Sequence, residues 1–275
     1  MSARAPCTSR LLFGLLTTLA GCNKADPSPT PVAAPREDKL VVFAATSLRD
    51  VFGALSDEFK RSQPGVEVAF NFAGTQELRT QLEHGAAVDV FASADQRHMG
   101  ELLQAKRVAA PVSFARNEPV VAVAREAAAS IGSFADLPLA KRVVIGTPQV
   151  PIGRYTLQIL DRASQTIAPD FRARVEAQVV SRELNVRQVL NKVSLGEADA
   201  AIVYRTDAMS AQDRIAIVAI PPQINVVAEY PIAIVVGAAH PQLARAWVQL
   251  VLSAAGQAAL QRAGFLAATG ASAAR

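Results

Sequence analysis

The chain is 275 residues long and 51% hydrophobic, with 28 basic against 24 acidic residues for a formal charge of +4. Setting aside Arg4 and Arg10, the charged residues before Cys22, leaves 26 against 24, which excludes the basic stripe with interleaved aromatics of a nucleic-acid binder. The two cysteines, Cys7 and Cys22, stand close to the N-terminus, so the remainder offers neither a disulfide framework nor a cysteine metal site.

Residues 1–22 read as a leader rather than as fold. Leu11–Ala20 (LLFGLLTTLA) follows Arg4 and Arg10, is apolar and is too short to span a bilayer. It ends in Leu19-Ala20-Gly21-Cys22, which resembles a bacterial lipobox. That resemblance implies loss of the leader together with Cys7, a diacylglyceryl group on Cys22, and attachment to a membrane through the lipid. Residues 23–39 (NKADPSPTPVAAPREDK) are too rich in proline, alanine and charge to build a core. They read as a tether reaching about 3 Å per residue where polyproline-like. No second apolar run reaches membrane-spanning length.

Leu40–Ala45 (LVVFAA) is a continuous apolar run, the pattern of a strand buried on both faces of a parallel sheet. After Thr46-Ser47, apolar residues at 48, 51, 52, 55 and 59 repeat with helical spacing until Pro64-Gly65. Val66–Ala73 is a second strand, Gly74-Thr75 opens a helix that stops at Gly85, and residues 89–92 form a third strand running into Ser93-Ala94-Asp95. Val120–Ala124 carries the chain into a second lobe, and Ser133–Leu137 is a short capped turn. Strands are predicted at 142–145, 175–180, 200–204 and 214–220, with helices from Ile152 and from Val186 to a stop at Gly196. Pro221-Pro222 marks the return crossing, residues 230–236 rejoin the first sheet, and residues 244–264 supply two terminal helices. The predicted architecture is α/β, two doubly wound lobes joined by a two-crossing hinge, with residues 40–117 and 223–268 in lobe 1, 118–222 in lobe 2 and 269–275 as a tail.

Ligands of open parallel sheets lie beyond the carboxyl ends of strands, where helix N-termini aim free N–H groups outward. Thr46-Ser47, Gly74-Thr75, Pro151-Ile152, Asn185-Val186 and Tyr204 are such junctions, two from one lobe and three from the other. None is charged, and all offer hydrogen-bond donors. An all-donor site suits a fully deprotonated oxyanion, whereas a protonated anion needs an acceptor as well. Taken singly, however, a serine at such a junction is more often a helix cap than a ligand contact.

Residues 41–99 (VVFAATSLRDVF to SADQRHM) resemble the amino-terminal lobe of the molybdate-binding proteins of bacterial ABC transporters. So do GTPQVPIGRYTLQIL (146–160), NVRQVLNKVSLGEADAAIVYRTDA (185–208) and EYPIAIV (229–235), and WVQLVLSAAGQAALQRAGF (247–265) resembles the end of solute-binding proteins generally. The resemblance implies a type II periplasmic-binding fold. It also implies an oxyanion held by the hydroxyls of Ser47 (AATS), Thr75 (FAGT) and Tyr204 (IVY) and the main-chain N–H groups of Ile152 (VPIG) and Val186 (NVR). Thr75 and Ile152 are bulkier than the family's usual residues there, which bears on selectivity. It further implies an extracytoplasmic, monomeric carrier of molybdate or tungstate that serves a membrane permease, with neither catalysis nor a cofactor.

Arg154, two residues past Ile152, is a candidate cation beside the cleft. His84, His98 and His240 lack metal-ligand spacing, and Asp89 and Asp95 suit turns and caps. No Gly-x-Ser-x-Gly elbow surrounds Ser47 and no P-loop string is present. The alternatives are a binding protein for another oxyanion such as sulfate, and a lipoprotein hydrolase using Ser47 or Tyr204 in the cleft.

Overall fold

A computed structural model describes residues 38–268, so the leader, Cys22, most of the tether and the tail lie outside the described residues. In chain order the first part runs β1 (Asp38–Ala45), α1 (Arg49–Ser62), β2 (Val66–Ala73), α2 (Thr75–Glu83), β3 (Val90–Ala92), α3 (Gln96–Gln104) and β4 (Val108–Asn117). The middle part is β5 (Pro119–Ala124), β6 (Val143–Gly146), α4 (Pro151–Thr166), α5 (Phe171–Ala177), β7 (Val179–Glu183), α6 (Val186–Ser194), β8 (Ala200–Tyr204), α7 (Arg205–Met209) and β9 (Ile215–Ala219). The chain ends with β10 (Ala228–Val235), α8 (Pro241–Leu252), α9 (Ala254–Arg262) and β11 (Leu266–Ala267).

The strands form a six-stranded sheet in the order β11-β4-β10-β3-β1-β2 and a five-stranded sheet in the order β7-β6-β8-β5-β9. β1 pairs parallel with β2 and β3, and β6 pairs parallel with β7 and β8. The two α/β halves are joined twice, where β4 passes into β5 and where β9 leads to β10. Both sheets are mixed, because the crossing strands run against the others: β10 is antiparallel to β3 and β4, and β5 is antiparallel to β8 and β9. A strand that arrives directly from the other half enters without a crossover helix, and so has no need of parallel pairing.

The largest differences from the sequence prediction are at α5 and β4, and the short α7 and β11 were not predicted either. Residues 175–177 belong to α5, and the strand starts only at Val179. Phe171 and Val175 are buried four residues apart, with Phe171 stacked on Phe134 at 5.2 Å and Arg172 paired with Glu176 at 3.2 Å on the outer face. Four-residue spacing on both faces is a helical pattern, and it overrides the strand propensity of the valines. β4 was not predicted, since Val108–Asn117 mixes alanines with Pro111, and its ladder with β10 is interrupted by register shifts.

The six-stranded half is closed by Trp247 of α8, which is fully buried. Its indole meets Phe52 and Phe59 of α1 and Phe70 of β2 edge-on, with ring centroids 5.4 to 5.5 Å apart. Edge-to-face contacts of this kind fasten the C-terminal helices onto the half built by the N-terminal residues. Among the described residues no helix is long and apolar enough to cross a membrane. Trp247→Ala is expected to cost about 3–5 kcal/mol of unfolding free energy, read from denaturant titration, because the aromatic cluster cannot collapse into the space.

Candidate functional site

Each predicted junction sits at the carboxyl end of a strand. β1 ends in a tight turn, Thr46–Leu48, before α1 begins. Ser47 does not cap that helix: the N-cap is Leu48 with no side-chain bond, and Ser47 Oγ lies 2.9 Å from Tyr230 Oη. Thr75 is the first residue of α2, and its Oγ1 accepts the Ala94 N–H at 3.2 Å. Pro151 occupies the first turn of α4, and, lacking an N–H, leaves Ile152 with the first amide proton of the helix. Asn185 caps α6 by accepting the Gln188 N–H at 3.0 Å, and the Val186 N–H is left at the open helix end. Tyr204 closes β8.

Ser47, Thr75, Ile152, Val186 and Tyr204 line one cavity together with Thr46, Gly74, Ala94 and Asn185, and among the described residues no charged side chain lines it. Its empty volume is about 210 Å³ including the mouth. Tyr204 Oη is buried with no hydrogen-bond partner among the described residues. Burial drives the Tyr204 and Tyr230 phenols well above their ordinary pKa, so both keep their protons across the physiological range. The cavity therefore combines hydroxyls and helix N-terminal amides, a donor-rich wall with partial positive charge and no formal one.

Formal charges stand one step outside. Arg154 does not line the cavity; its Nη2 reaches Asp95 Oδ2 in the other half at 3.0 Å, and its guanidinium lies 4.6 Å from the Tyr155 ring centroid. Asp95 also caps α3 by accepting the His98 N–H at 3.0 Å. Arg187, next to Val186, joins Asp207 of its own half at 2.7 Å and Asp50 of the other half at 2.5 Å. Burial pushes the Asp207 carboxyl up to about 6 against the opposing pull of Arg187. Asp89 accepts the Val41 and His240 N–H groups, a structural duty. Among the described residues no group of His, Cys, Asp or Glu is placed to hold a metal ion.

Other hydrogen bonds also bridge the halves. Gln76 Nε2 donates to Leu184 O at 2.7 Å, and Arg97 Nη2 donates to Gln149 O at 3.2 Å. Gly74 makes the approach possible, since a Cβ there would stand 2.4 Å from Leu184 O. Tyr230, Asn117 and Asp207 had no assigned role in the sequence, because their partners lie far along the chain.

A small donor-lined cavity between two α/β halves linked by two crossings defines a binding protein of the type II periplasmic class. The chain belongs to the bacterial extracellular solute-binding proteins, whose family model matches residues 40–266. It is 40% identical over 255 residues to the molybdate-binding protein ModA of Mycobacterium tuberculosis H37Rv, covering 91% of this chain and 94% of that one. The Azotobacter vinelandii periplasmic molybdate-binding protein shares its fold with TM-score 0.73 at 19% identity, over 83% of this chain and 99% of that chain. The sulfate-binding protein SubI of Mycobacterium tuberculosis H37Rv does so with TM-score 0.76 at 18% identity, over 85% and 88%.

The buried Asp207 carboxyl ties stability to pH. Its folded pKa is raised above the ordinary 3.8, so between these values the folded state holds the extra proton and stability falls as pH rises. Relative to Asp207→Asn, the unmodified protein should lose up to roughly 3 kcal/mol of stability across that window and level off above it, measured by urea unfolding at stepped pH.

Proposed function

We propose that the protein captures molybdate in this cavity, closes its two halves around it and delivers it to the membrane permease of an ABC transporter. The observation that carries the reading is the convergence of Ser47, Thr75, Ile152, Val186 and Tyr204, drawn from both halves, on one uncharged cavity. In it the hydroxyls of Ser47, Thr75 and Tyr204 and the amides of Ile152 and Val186 donate to the oxyanion. The 40% identical molybdate-binding relative supports the choice of ion. Tungstate, nearly the same in size and charge, binds the same donors. Sulfate, with shorter bonds, leaves some of them out of reach.

Binding without a reaction is the reading the solute-binding relatives support; among the described residues the Ser47 hydroxyl meets Tyr230, whose phenol stays protonated. We place the protein outside the cytoplasm as a monomer, anchored through a lipid on Cys22, with 40–117 and 223–268 moving against 118–222 on the hinge.

The deciding experiment is thermal unfolding of residues 38–275 with molybdate, tungstate, sulfate or phosphate. At about one hundred times the dissociation constant a ligand adds roughly 2.7 kcal/mol. Stabilisation by molybdate and tungstate above the others is expected, and indifference to all four removes the assigned ligand. Ser47→Ala should weaken molybdate binding roughly tenfold to a hundredfold, the worth of one hydrogen bond to a charged group. Gly74 has φ −61° and ψ 139°, a backbone alanine tolerates. Gly74→Ala should therefore leave the unliganded midpoint almost unchanged while calorimetry shows weaker molybdate binding, because the added methyl meets Leu184 only when the halves close.

A further inference from the structure

One guanidinium reaches the neighbours of three groups that line the cavity. Arg187 follows Val186 in the first turn of α6, and its Nε lies 2.7 Å from Oδ1 of Asp207, a fully buried carboxyl on α7 three residues past Tyr204. Nη1 donates to Ser210 Oγ at 3.2 Å, and Ser210 Oγ donates in turn to the Asp207 carbonyl at 2.7 Å. Nη2 donates to Oδ2 of Asp50 at 2.5 Å, in the first turn of α1 three residues past Ser47. The guanidinium thus stands between the segments that carry Val186 and Tyr204 in one half and Ser47 in the other.

Its arms differ in their surroundings. The Asp207 side chain is 0% exposed, and a carboxylate buried that deeply is costly to leave without its counter-charge, so this pair stays together inside its own half. With Ser210 it fixes the fork of the guanidinium, whose remaining edge faces the other half. The Asp50 side chain is 57% exposed, so water can replace Arg187 beside it at little cost. Of these contacts, the Asp50 one is the arm that spans the halves and the one that opening breaks.

We propose that Arg187 and Asp50 are positioning residues for capture: Asp207 and Ser210 preset the guanidinium, and the Asp50 contact, formed only as the halves meet, sets how long the oxyanion is held rather than how fast it enters. The inference rests on the capture reading above and adds to it the residues that time release. While the contact lasts, the starts of α1 and α6 are tied within one turn of Ser47 and Val186, so these two donors cannot draw apart. An incoming ion meets a cleft in which the contact has not yet formed. Its loss therefore falls on dissociation, as the loss of most contacts completed after encounter does.

The test measures both rates on the unmodified protein and on Asp50→Asn, which keeps the shape of an exposed side chain and removes its charge. Release is followed by chasing bound radioactive molybdate with excess unlabelled molybdate, and association by rapid filtration. Release from Asp50→Asn is expected to quicken about threefold to tenfold, the scale of one partly exposed ion pair, with the association rate and the unliganded urea midpoint unchanged. Asp50→Glu should restore most of the slow release, and added salt should narrow the gap between Asp50→Asn and the unmodified protein. Arg187→Lys leaves Asp207 a counter-charge but lacks the fork to reach Asp50 as well. It should release as fast as Asp50→Asn, and the two changes together no faster. An unchanged release rate in Asp50→Asn, a loss confined to association, or additive effects of the two changes would each overturn the proposal while leaving molybdate binding intact. Failure of the unmodified protein to hold molybdate would overturn the capture reading and this one with it.

Discussion

Everything at the site depends on two sheets bringing the carboxyl ends of their parallel strands face to face. Helix N-termini carry only partial charge, and their effect fades within a turn, so a single half cannot surround an anion. The closed approach is narrow enough that Gly74 meets the Leu184 carbonyl where any side chain would collide. Arg154 with Asp95, Arg187 with Asp50, and Gln76 with Leu184 cross the gap at its rim. Their common feature is adjacency: Arg154 and Arg187 lie within two residues of Ile152 and Val186, so contacts that hold the halves together also hold the amides that face the cavity.

This arrangement separates attraction from selectivity. Arg154 and Arg187 are each answered by a carboxylate, and among the described residues the cavity wall carries no formal charge. A bare arginine in the wall would attract anions of any protonation state and would need desolvating whenever the site was empty. Oriented amides and hydroxyls instead ask for lone pairs at set positions. Asp207 shows the cost of the scheme, since its buried carboxyl is displaced to about 6 even with Arg187 against it.

The two crossings do more than join the halves. Asn117 stands where the chain first crosses between halves, and Tyr230 lies on β10, the strand that makes the return. Both crossings thus contribute to the polar line that ends at Ser47. Arg205 ties the first crossing to α7 through Glu118 at 2.8 Å, and Asn225 Nδ2 ties the return to it through Pro119 O at 3.0 Å. The polar residues behind Ser47 are therefore braced by the two segments common to both halves.

Much of this was legible in the sequence because it is local. The apolar run 40–45, the helical spacing after Ser47 and the stops at Gly65, Gly85 and Gly196, all at positive φ, mark elements through neighbours within one or two turns. The five junctions were legible for the same reason, and their strings carried the family resemblance. Local pattern failed where two signals competed: the valines of 175–180 suggested a strand, while the Phe171–Val175 spacing made a helix. It was silent on β4, whose alanines and proline have no clear period. It also suggested that Ser47 caps a helix, whereas the structure gives its hydroxyl to Tyr230, 183 residues away. The sequence by itself determined which backbone ends and hydroxyls are available, because capping, turns and burial period are properties of contiguous residues. Only the tertiary structure decided which partners those hydroxyls meet and which charges cancel, because those groups arrive from distant segments when the two sheets meet.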